Sequence, residues 1–465
     1  MPRPSWIGRS FERRRSGPSL VTVAVIAVVA GLALGRFLSA GPTGPTTPVS
    51  ASGGVPASTG VSAPAGVSGP SAEGLVALEQ AVERQPQDLA ALQQLGVAYV
   101  QRAAEVGDPA FYRLAEQAFA RADAVSADHP VTLLGRATLA LGLHDFEAAR
   151  TLGERLHAAQ PHSAEPLGVL VDAAVELGDY PAAADHVQQM VDVDPGTAAL
   201  SRVSYLRQLH GDLDGALTAM RQAAIAAGGG TFDRAAVTAL IGDLHWARGD
   251  LDAARAAYDE AAADAPGLPA AEIGHARISA AEGRAEEALD RLARLVDRYP
   301  RPDALILQLE LQAQAGQEAA AAATREVVRA LSALQQDAGQ VVDLELALFE
   351  ADHGDPARAV ELARRAHAAR PDNVHAQHAL AWALARSGDP VAAQPLVEQA
   401  LRLGTRDATI SYHAAVIFAA TGETDRAREE LQAAVQLNPF AIGADADAAE
   451  LAQRLGVEVP EAWRP

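Results

Sequence analysis

His375 and His378 lie three residues apart, and this spacing is the one in the chain most similar to that of a pair of metal ligands. On one helix, positions i and i+3 share a face, so the two imidazoles could bind one ion. A third ligand is missing nearby in the sequence, and thirteen histidines make one such pair easy to obtain by chance. The sequence therefore predicts no metal site and no cofactor.

Other residues that could do chemistry have simpler explanations. Carboxylate pairs such as Asp192 with Asp194 are typical of solvated helix ends. The sequence contains no phosphate-binding GxxxxGK[ST], no dinucleotide-binding GxGxxG, and no HExxH, GxSxG or kinase signature. It has no cysteine, and all 38 basic residues are arginine, which excludes cysteine nucleophiles and lysine Schiff bases. We predict no catalytic residues, and thus no enzyme.

The composition of the chain limits the kinds of molecule that it can bind. The 465 residues carry a formal net charge of −21 and are 49% hydrophobic but only 4% aromatic. An acidic chain repels a phosphate backbone, so we expect no nucleic-acid partner. No small-molecule ligand is predicted either.

The amino-terminal region has the pattern of a membrane anchor. Residues 20–35 are uncharged and, with the apolar residues up to Ala40, approach the roughly 20 residues that cross a bilayer. Five arginines precede this run, so the positive-inside rule predicts a cytoplasmic tail at 1–19, a transmembrane helix at 20–40 and an extracytoplasmic remainder. A cleaved signal peptide ending at Ala40 remains the alternative, although Leu38 is larger than such a site prefers.

The following segment, 41–72, is rich in Gly, Pro, Ser and Thr and cannot bury a core, so it is predicted to be a linker. The remainder repeats with a period of 33 to 38 residues. Alanines in the predicted helical stretches mark this period, at Ala149, Ala183, Ala216, Ala254, Ala288, Ala322, Ala359, Ala393 and Ala427. Turn glycines such as Gly249 and Gly283 keep the same spacing.

This pattern closely resembles the tetratricopeptide repeat (TPR) family, in which each unit is a pair of antiparallel helices. The resemblance implies an all-α solenoid, wound as a right-handed superhelix. We expect the array at 73–455, with capping helices at 73–86 and 444–455 and a tail at 456–465. Ten units should begin near Leu89, Pro130, Ala164, Thr197, Ala235, Pro269, Asp303, Gln340, Val374 and Ala408. The first, fourth and seventh units exceed the period, and we expect their extra residues to form longer loops.

The resemblance also implies a peptide-binding groove along the inner face of the first helices. Its candidate residues are Tyr205, Asp243, Trp246, Arg277, His378, Trp382, Arg386 and Tyr412, with Asp172, Glu176, Gln208 and Gln314 on the same predicted face. The four large rings could be binding anchors or could pack between units. The two arginines could hold a carboxylate or form ordinary ion pairs. If the rings are anchors, replacing Trp246 and Trp382 by alanine weakens partner capture without lowering the melting temperature.

The order of the segments, an arginine-rich tail, an apolar run, a linker and a repeat array, resembles that of bacterial membrane-anchored, extracytoplasmic TPR proteins. It implies a single-pass protein of the bacterial cell membrane that contacts the lipid bilayer through residues 20–40. The expected function is non-catalytic: a scaffold or assembly factor for an extracytoplasmic protein or peptide. A ligand-binding or enzymatic groove, and a secreted binding protein released by signal cleavage, are the alternatives.

Overall fold

The computed structural model describes residues 72–442 and 446–463, and every regular element within them is helical. The α-helices are α1 (Ala72–Arg84), α2 (Leu89–Val106), α3 (Ala110–Val125), α4 (Pro130–Gly142), α5 (Phe146–Ala159), α6 (Ala164–Leu177), α7 (Tyr180–Val193), α8 (Thr197–Leu209), α9 (Leu213–Ala227), α10 (Phe232–Ala247), α11 (Leu251–Asp264), α12 (Pro269–Ala281), α13 (Ala285–Arg298), α14 (Pro302–Gln314), α15 (Glu318–Asp337), α16 (Asp343–His353), α17 (Pro356–Ala369), α18 (Val374–Arg386), α19 (Pro390–Ala400), α20 (Ala408–Thr421), α21 (Thr424–Leu437) and α22 (Ala446–Leu455).

Consecutive helices pack in pairs, from α2 with α3 to α20 with α21, so the described chain holds ten units. The all-helical repeat fold implied by the sequence is confirmed. α1 packs on the first unit and α22 on the last. Beyond α22 the chain folds back: Trp463 is buried, and its indole N–H donates to the carbonyl of Pro439 at 2.8 Å.

In five of the ten units, the turn between the two helices shows why the second helix begins where it does. At the first helix's end, a glycine such as Gly178 or Gly249 adopts a positive φ, which side chains disfavour. The aspartate after it then caps the second helix, because its carboxylate accepts the N–H three residues on. This cap is found at Asp145, Asp179, Asp212, Asp250 and Asp389, and before Asp145 the positive φ belongs to His144 in place of a glycine.

The two helices of a unit differ in burial. In the ninth unit, α18 buries eleven of its 13 residues, because its neighbours surround it. Its partner α19 buries three of 11, Ala393, Val397 and Ala400, at the spacing of a single helical stripe. First helices therefore form the inner layer and second helices the outer layer of the array.

The prediction of longer loops is wrong for the first and seventh units. Their extra residues lengthen helices instead: α2 has 18 residues and α15 has 20. The alanine-rich start of α15 favours helix, and no glycine or proline interrupts residues 318–338. The lengthened α15 reaches the cavity described below.

The membrane segment predicted at 20–40 lies outside the described residues, as do the tail at 1–19 and nearly all of the linker at 41–72. Of the helices between residues 72 and 463 that the structure describes, none is both long enough and apolar enough to cross a bilayer.

The array winds so tightly that units six apart touch. We call this contact the seam: the carboxyl ends of the first helices α2, α4, α6, α8 and α10 lie against the loops that precede α14, α16, α18 and α20 and follow α21. The same kind of hydrogen bond is found at all five junctions. Its donor lies in the later turn of the superhelix, and its acceptor is a backbone carbonyl in the earlier turn. These bonds are Arg301 Nη1 to Ala104 (3.0 Å), Val341 N to Leu143 (2.9 Å), Asn373 Nδ2 to Glu176 (3.0 Å), Thr405 Oγ1 to Leu209 (2.5 Å) and Asn438 Nδ2 to Trp246 (2.5 Å).

These bonds have a common physical reason. The last four carbonyls of a helix have no partner within it, so buried helix ends need outside donors. Asn373 serves two helices at once: its Oδ1 caps α18 by accepting from His375 and Ala376, while its Nδ2 donates to Val175 and Glu176. Asn438 acts in the same way between Phe440 and α10. The seam thus satisfies groups that would otherwise be buried unpaired.

Side chains reinforce the seam at the third unit. The guanidinium of Arg370 pairs with Glu176 at 2.5 Å, and both are buried. The Tyr180 hydroxyl accepts the backbone N–H of Val374 at 3.0 Å. Arg370 also lies over the Phe146 ring, 5.1 Å from its centroid. Charge, hydrogen bonding and ring contact therefore meet at one junction.

Glycine is required at the seam for a second reason besides its positive φ. A Cβ at Gly178 would overlap the backbone of Asp372 and Asn373 in the later turn. Gly388 has a similar φ, 92° against 84°, but no atom lies within 4 Å of its would-be Cβ. Two conformationally equivalent glycines therefore differ in one respect, which is contact with another turn.

We expect Gly178→Ala to cost more stability than Gly388→Ala. The second should lose about 1 kcal/mol for placing a side chain at positive φ. The first should lose a further 1–3 kcal/mol, roughly, because the backbones at the seam must separate. Hydrogen exchange should show faster exchange of the Val374 amide in Gly178→Ala alone. Equal stability losses and unchanged exchange would argue against a closed seam.

Candidate functional site

A cavity of about 240 Å³ lies between the two turns of the superhelix. One wall comes from units one to four, with residues of α2, α4, α6 and α8. The other comes from units seven to nine, with residues of α14, α15, α16 and α18. The seam borders the cavity, because Arg301, Glu176 and Arg370 belong to both. The site therefore exists only when the turns are stacked.

Most of the cavity wall is apolar. Aromatic rings come from Tyr112, Phe146 and Phe349, and aliphatic side chains from Val100, Leu141, Ile306, Val328, Leu344 and Leu346. An apolar wall with a few polar groups is the usual character of a ligand pocket.

Two ion pairs form part of the wall. Besides the Glu176–Arg370 pair, Arg301 Nε lies 3.2 Å from Asp303. Burial raises the pKa of Glu176, while the charge of Arg370 opposes that rise. Each arginine is thus engaged by a carboxylate of its own.

Three polar atoms of the wall are buried and have no hydrogen-bond partner among the described residues: Tyr205 Oη, Glu345 Oε2 and His375 Nε2. Burial raises the pKa of Tyr205 well above its ordinary value, so its hydroxyl stays protonated. Burial, helped by the charge of Arg370, lowers the pKa of His375 to about 4, so its ring is neutral at pH 7. Buried polar atoms without partners are rare in proteins and costly, so these three side chains lower the stability of the wall.

Glu345 has only a weak partner for its other oxygen. Its Oε1 lies 3.8 Å from Nδ1 of His144. That nitrogen is 2.8 Å from the carbonyl of Val341, which can only accept, so its proton points there. Glu345 is therefore the one carboxylate of the cavity wall without a close cationic partner.

The residues predicted to line a groove all lie on first helices, but the structure joins most of them to neighbouring units. Asp243 lies 3.5 Å from Arg277 and accepts the Tyr258 hydroxyl at 2.7 Å. His378 Nε2 lies 2.9 Å from Nδ1 of His413. Their spacing of 34 or 35 residues matches the period, so equivalent positions of successive units form a ladder of polar contacts.

The four rings predicted as possible anchors are buried: Tyr205, Trp246, Trp382 and Tyr412 are 9%, 5%, 4% and 7% exposed. Trp382 stacks on His413 with ring centroids 3.5 Å apart, and its indole N–H donates to Asp352 at 2.7 Å. Packing between units, one of the two roles the sequence left open, fits the positions of Trp246, Trp382 and Tyr412. Tyr205 alone of the four lines the cavity. A role in binding remains a prediction for all of them.

The arginines and the histidine pair also have defined surroundings. Arg277 pairs with Asp243, and Arg386 donates to the carbonyl of Ala351 while lying over the Trp382 ring. His375 lines the cavity, whereas His378 is engaged by His413. Within residues 72–442 and 446–463, no cluster of three or more His, Cys, Asp or Glu could hold a metal ion.

Sequence reasoning did not identify Glu345, Arg370 or His144 as members of a site. They meet residues about 200 positions away, and a period of 34 residues does not say after how many units the superhelix closes on itself. One signal was present: the chain has only two asparagines, Asn373 and Asn438, and both form seam bonds.

Comparisons with known proteins agree with the repeat architecture. Two family models, both described as tetratricopeptide repeat, match this chain. One matches residues 134–199, 204–269 and 378–442, and the other matches residues 350–400. No curated protein gives a significant match.

Solved structures similar to this chain include the APC/C hetero-tetramer Cut9-Hcn1, at 12% identity and a TM-score of 0.37, covering 82% of this chain and 92% of that one. PilW, titled a widely conserved type IV pilus biogenesis factor, is 16% identical with a TM-score of 0.37, covering 43% and 92%. A tetratricopeptide repeat protein from Parabacteroides merdae is 18% identical with a TM-score of 0.33, covering 55% and 98%.

We expect Tyr205→Phe to leave stability within about 0.5 kcal/mol of the parent protein, because the lost hydroxyl has no partner in the wall. Tyr258→Phe is the matched control: its hydroxyl donates to Asp243, so its loss should cost about 1–3 kcal/mol. Thermal unfolding of both variants measures this difference. A large loss for Tyr205→Phe would mean that its hydroxyl is already bonded.

The burial of Trp382 replaces the expectation that removing it spares stability. Trp382→Ala deletes a ring that is 4% exposed and leaves Asp352 without its indole donor. A cost of about 3–5 kcal/mol is typical of such a truncation. The melting temperature should therefore fall by several degrees. An unchanged melting temperature would instead support the expectation from the sequence, in which this ring binds a partner and is not needed for stability.

Proposed function

The chain belongs to the tetratricopeptide repeat family, and from that premise we propose that it is a non-catalytic scaffold that binds another protein. Stacked repeats give a long surface on which each unit presents equivalent side chains one period apart, which suits extended polypeptide partners. The observation that carries the proposal is the unbroken stack of ten such units.

We further propose that the array is held outside the cytoplasm by residues 20–40 and presented to an extracytoplasmic client, as a scaffold or assembly factor. The support lies in the sequence: an uncharged apolar run, an arginine-rich flank before it and a Pro- and Gly-rich spacer after it. The spacer would let the array reach a client beyond the bilayer surface.

The inner cavity is the part of the surface best suited to hold a client segment. Gln101 and Gln335 lie in its wall and are half-buried, so each offers an amide to a passing chain. Glu116, on α3, is exposed and lies outside the cavity wall, so it serves as a reference position.

The proposal is tested by photo-crosslinking in cells with the full chain. A photoreactive residue at Gln101 or Gln335 should capture one envelope protein repeatedly, and the same residue at Glu116 should not. Capture at Glu116 alone would place the client on the outer face. Equal, unspecific capture at all three positions would contradict a scaffold with a defined client.

Membrane attachment needs a separate measurement. Mass spectrometry of the purified protein should find an intact amino terminus in the membrane fraction if residues 20–40 are an uncleaved anchor. A mature chain beginning after Ala40 in the soluble fraction would establish the secreted alternative instead.

A further inference from the structure

The junction between the seventh and eighth units is packed differently from the others. At every other junction, the second helix of one unit packs along the first helix of the next, whereas α15 and α16 scarcely meet along their lengths. A long side chain spans the space between them: Arg329 of α15 donates twice to Glu350 of α16, at 2.9 and 3.1 Å. Both helices also line the cavity, so the cavity lies at the most loosely packed junction of the array.

The charged groups of the cavity wall are already paired or solvated. Arg301 lies 3.2 Å from Asp303, and Arg370 lies 2.5 Å from Glu176. The remaining carboxylate, Glu345, has a side chain that is 26% exposed and thus keeps contact with water. Each arginine of the wall is occupied, so an anionic ligand finds no partner, and a cationic one would lose its hydration among apolar side chains. An uncharged ligand therefore suits the wall best.

Apolar residues on both walls are accessible to such a ligand. Ile306 of α14 and Ala104 of α2 lie on opposite walls and are only half-buried. An apolar cavity of about 150 Å³ holds one benzene ring. This cavity has a volume of about 240 Å³, so on the same scale it holds about nine or ten non-hydrogen atoms. The side chain of a tryptophan is of that size.

Three glutamine side chains of the wall favour a polypeptide as the source of this group. Gln101 lies on α2, Gln335 near the end of α15 and Gln340 in the loop that follows, and all three are half-buried. Their side-chain amides form no hydrogen bond with the described residues. An amide has both donors and an acceptor, as the backbone of an extended chain requires.

From the loose junction, the uncharged wall, the volume and the available amides, we propose that the cavity binds a tryptophan-sized apolar side chain within an uncharged polypeptide segment. Ile306 and Ala104 contact the side chain from opposite walls, and the glutamine amides bind the backbone next to it. This inference rests on the scaffold function proposed above and names the feature by which the client is recognised.

Four peptides test the chemistry of the ligand. They have the form acetyl-Gly-Gly-X-Gly-Gly-amide, with tryptophan, alanine, lysine or glutamate at X, and are titrated calorimetrically into the full-length protein in detergent, with detergent alone as the blank. We expect the tryptophan peptide to bind about tenfold more tightly than the other three, because it alone removes a large apolar surface from water. Equal binding of all four, preference for a charged peptide or no binding would overturn the proposal.

The source of the group is tested with 3-methylindole, which has the tryptophan ring without a backbone. It should bind more weakly than the tryptophan peptide. Gln101→Ala should weaken binding of the peptide several-fold and leave binding of 3-methylindole unchanged. Tighter binding of 3-methylindole than of the peptide would identify a free small molecule and overturn the assignment to a polypeptide.

Variants locate the site. Ile306→Trp places a ring in the cavity and should abolish the preference for the tryptophan peptide. Val391→Trp is the matched control on the outer helix α19, where the residue is 74% exposed, and should retain it. If Ile306→Trp fails to fold, Ala104→Leu fills the same space from the opposite wall and should weaken binding of the tryptophan peptide several-fold. Unchanged preference in both cavity variants would refute the site.

The scaffold function and this inference can fail separately. A preference for tryptophan in the titrations, with no client captured in cells, would support the site and contradict the scaffold. Capture of one client at Gln101 or Gln335, with no preference for tryptophan, would contradict the site alone.

Discussion

The structure depends on one requirement: the carbonyl groups at the ends of buried helices need hydrogen-bond donors. In an isolated helix pair, water supplies them. Here the superhelix returns on itself after six units, and donors of the later turn take the place of water at five first-helix ends. Asn373 and Asn438 suit the position because an amide has both an acceptor for its own helix and a donor for the other. Glycine at the opposing turn lets the backbones approach closely enough for the bond to form.

The other unusual features follow from this stacking. The Glu176–Arg370 pair joins residues 194 positions apart and loses its solvent because the turns close over it. A buried pair of this kind specifies an arrangement more than it stabilises one, since desolvation offsets much of the attraction. The longer helices α2 and α15 both contribute residues to the wall of the cavity. The same wall includes Tyr205, Glu345 and His375, each of which has a buried polar atom without a partner among the described residues.

The features of each single helix pair could be predicted from the sequence, but the closing of the superhelix, which adds up over several units, could not. A glycine, a capping aspartate and a period of 34 residues are enough to place each helix pair, and the first helices begin close to the positions predicted, such as Leu89, Pro130 and Val374. The closing of the superhelix depends on small rotations summed over six units, which no single unit reveals. The rings of Trp246 and Trp382 could not be assigned to a groove or to packing from sequence, because periodicity gives the face of the helix but not which neighbouring side chains cover it. The summed rotation hid the contact between Arg370 and Glu176, which are 194 positions apart.

The most direct test of the closed superhelix is hydrogen exchange at the backbone amide of Val341. This amide precedes α16, so no helix protects it, and its hydrogen bond goes to Leu143 in the earlier turn at 2.9 Å. A stacked superhelix predicts that Val341 exchanges as slowly as amides inside the neighbouring helices. Exchange at the rate of an unstructured loop, with α16 still protected, would show that the turns do not stack and would contradict the seam and the cavity together.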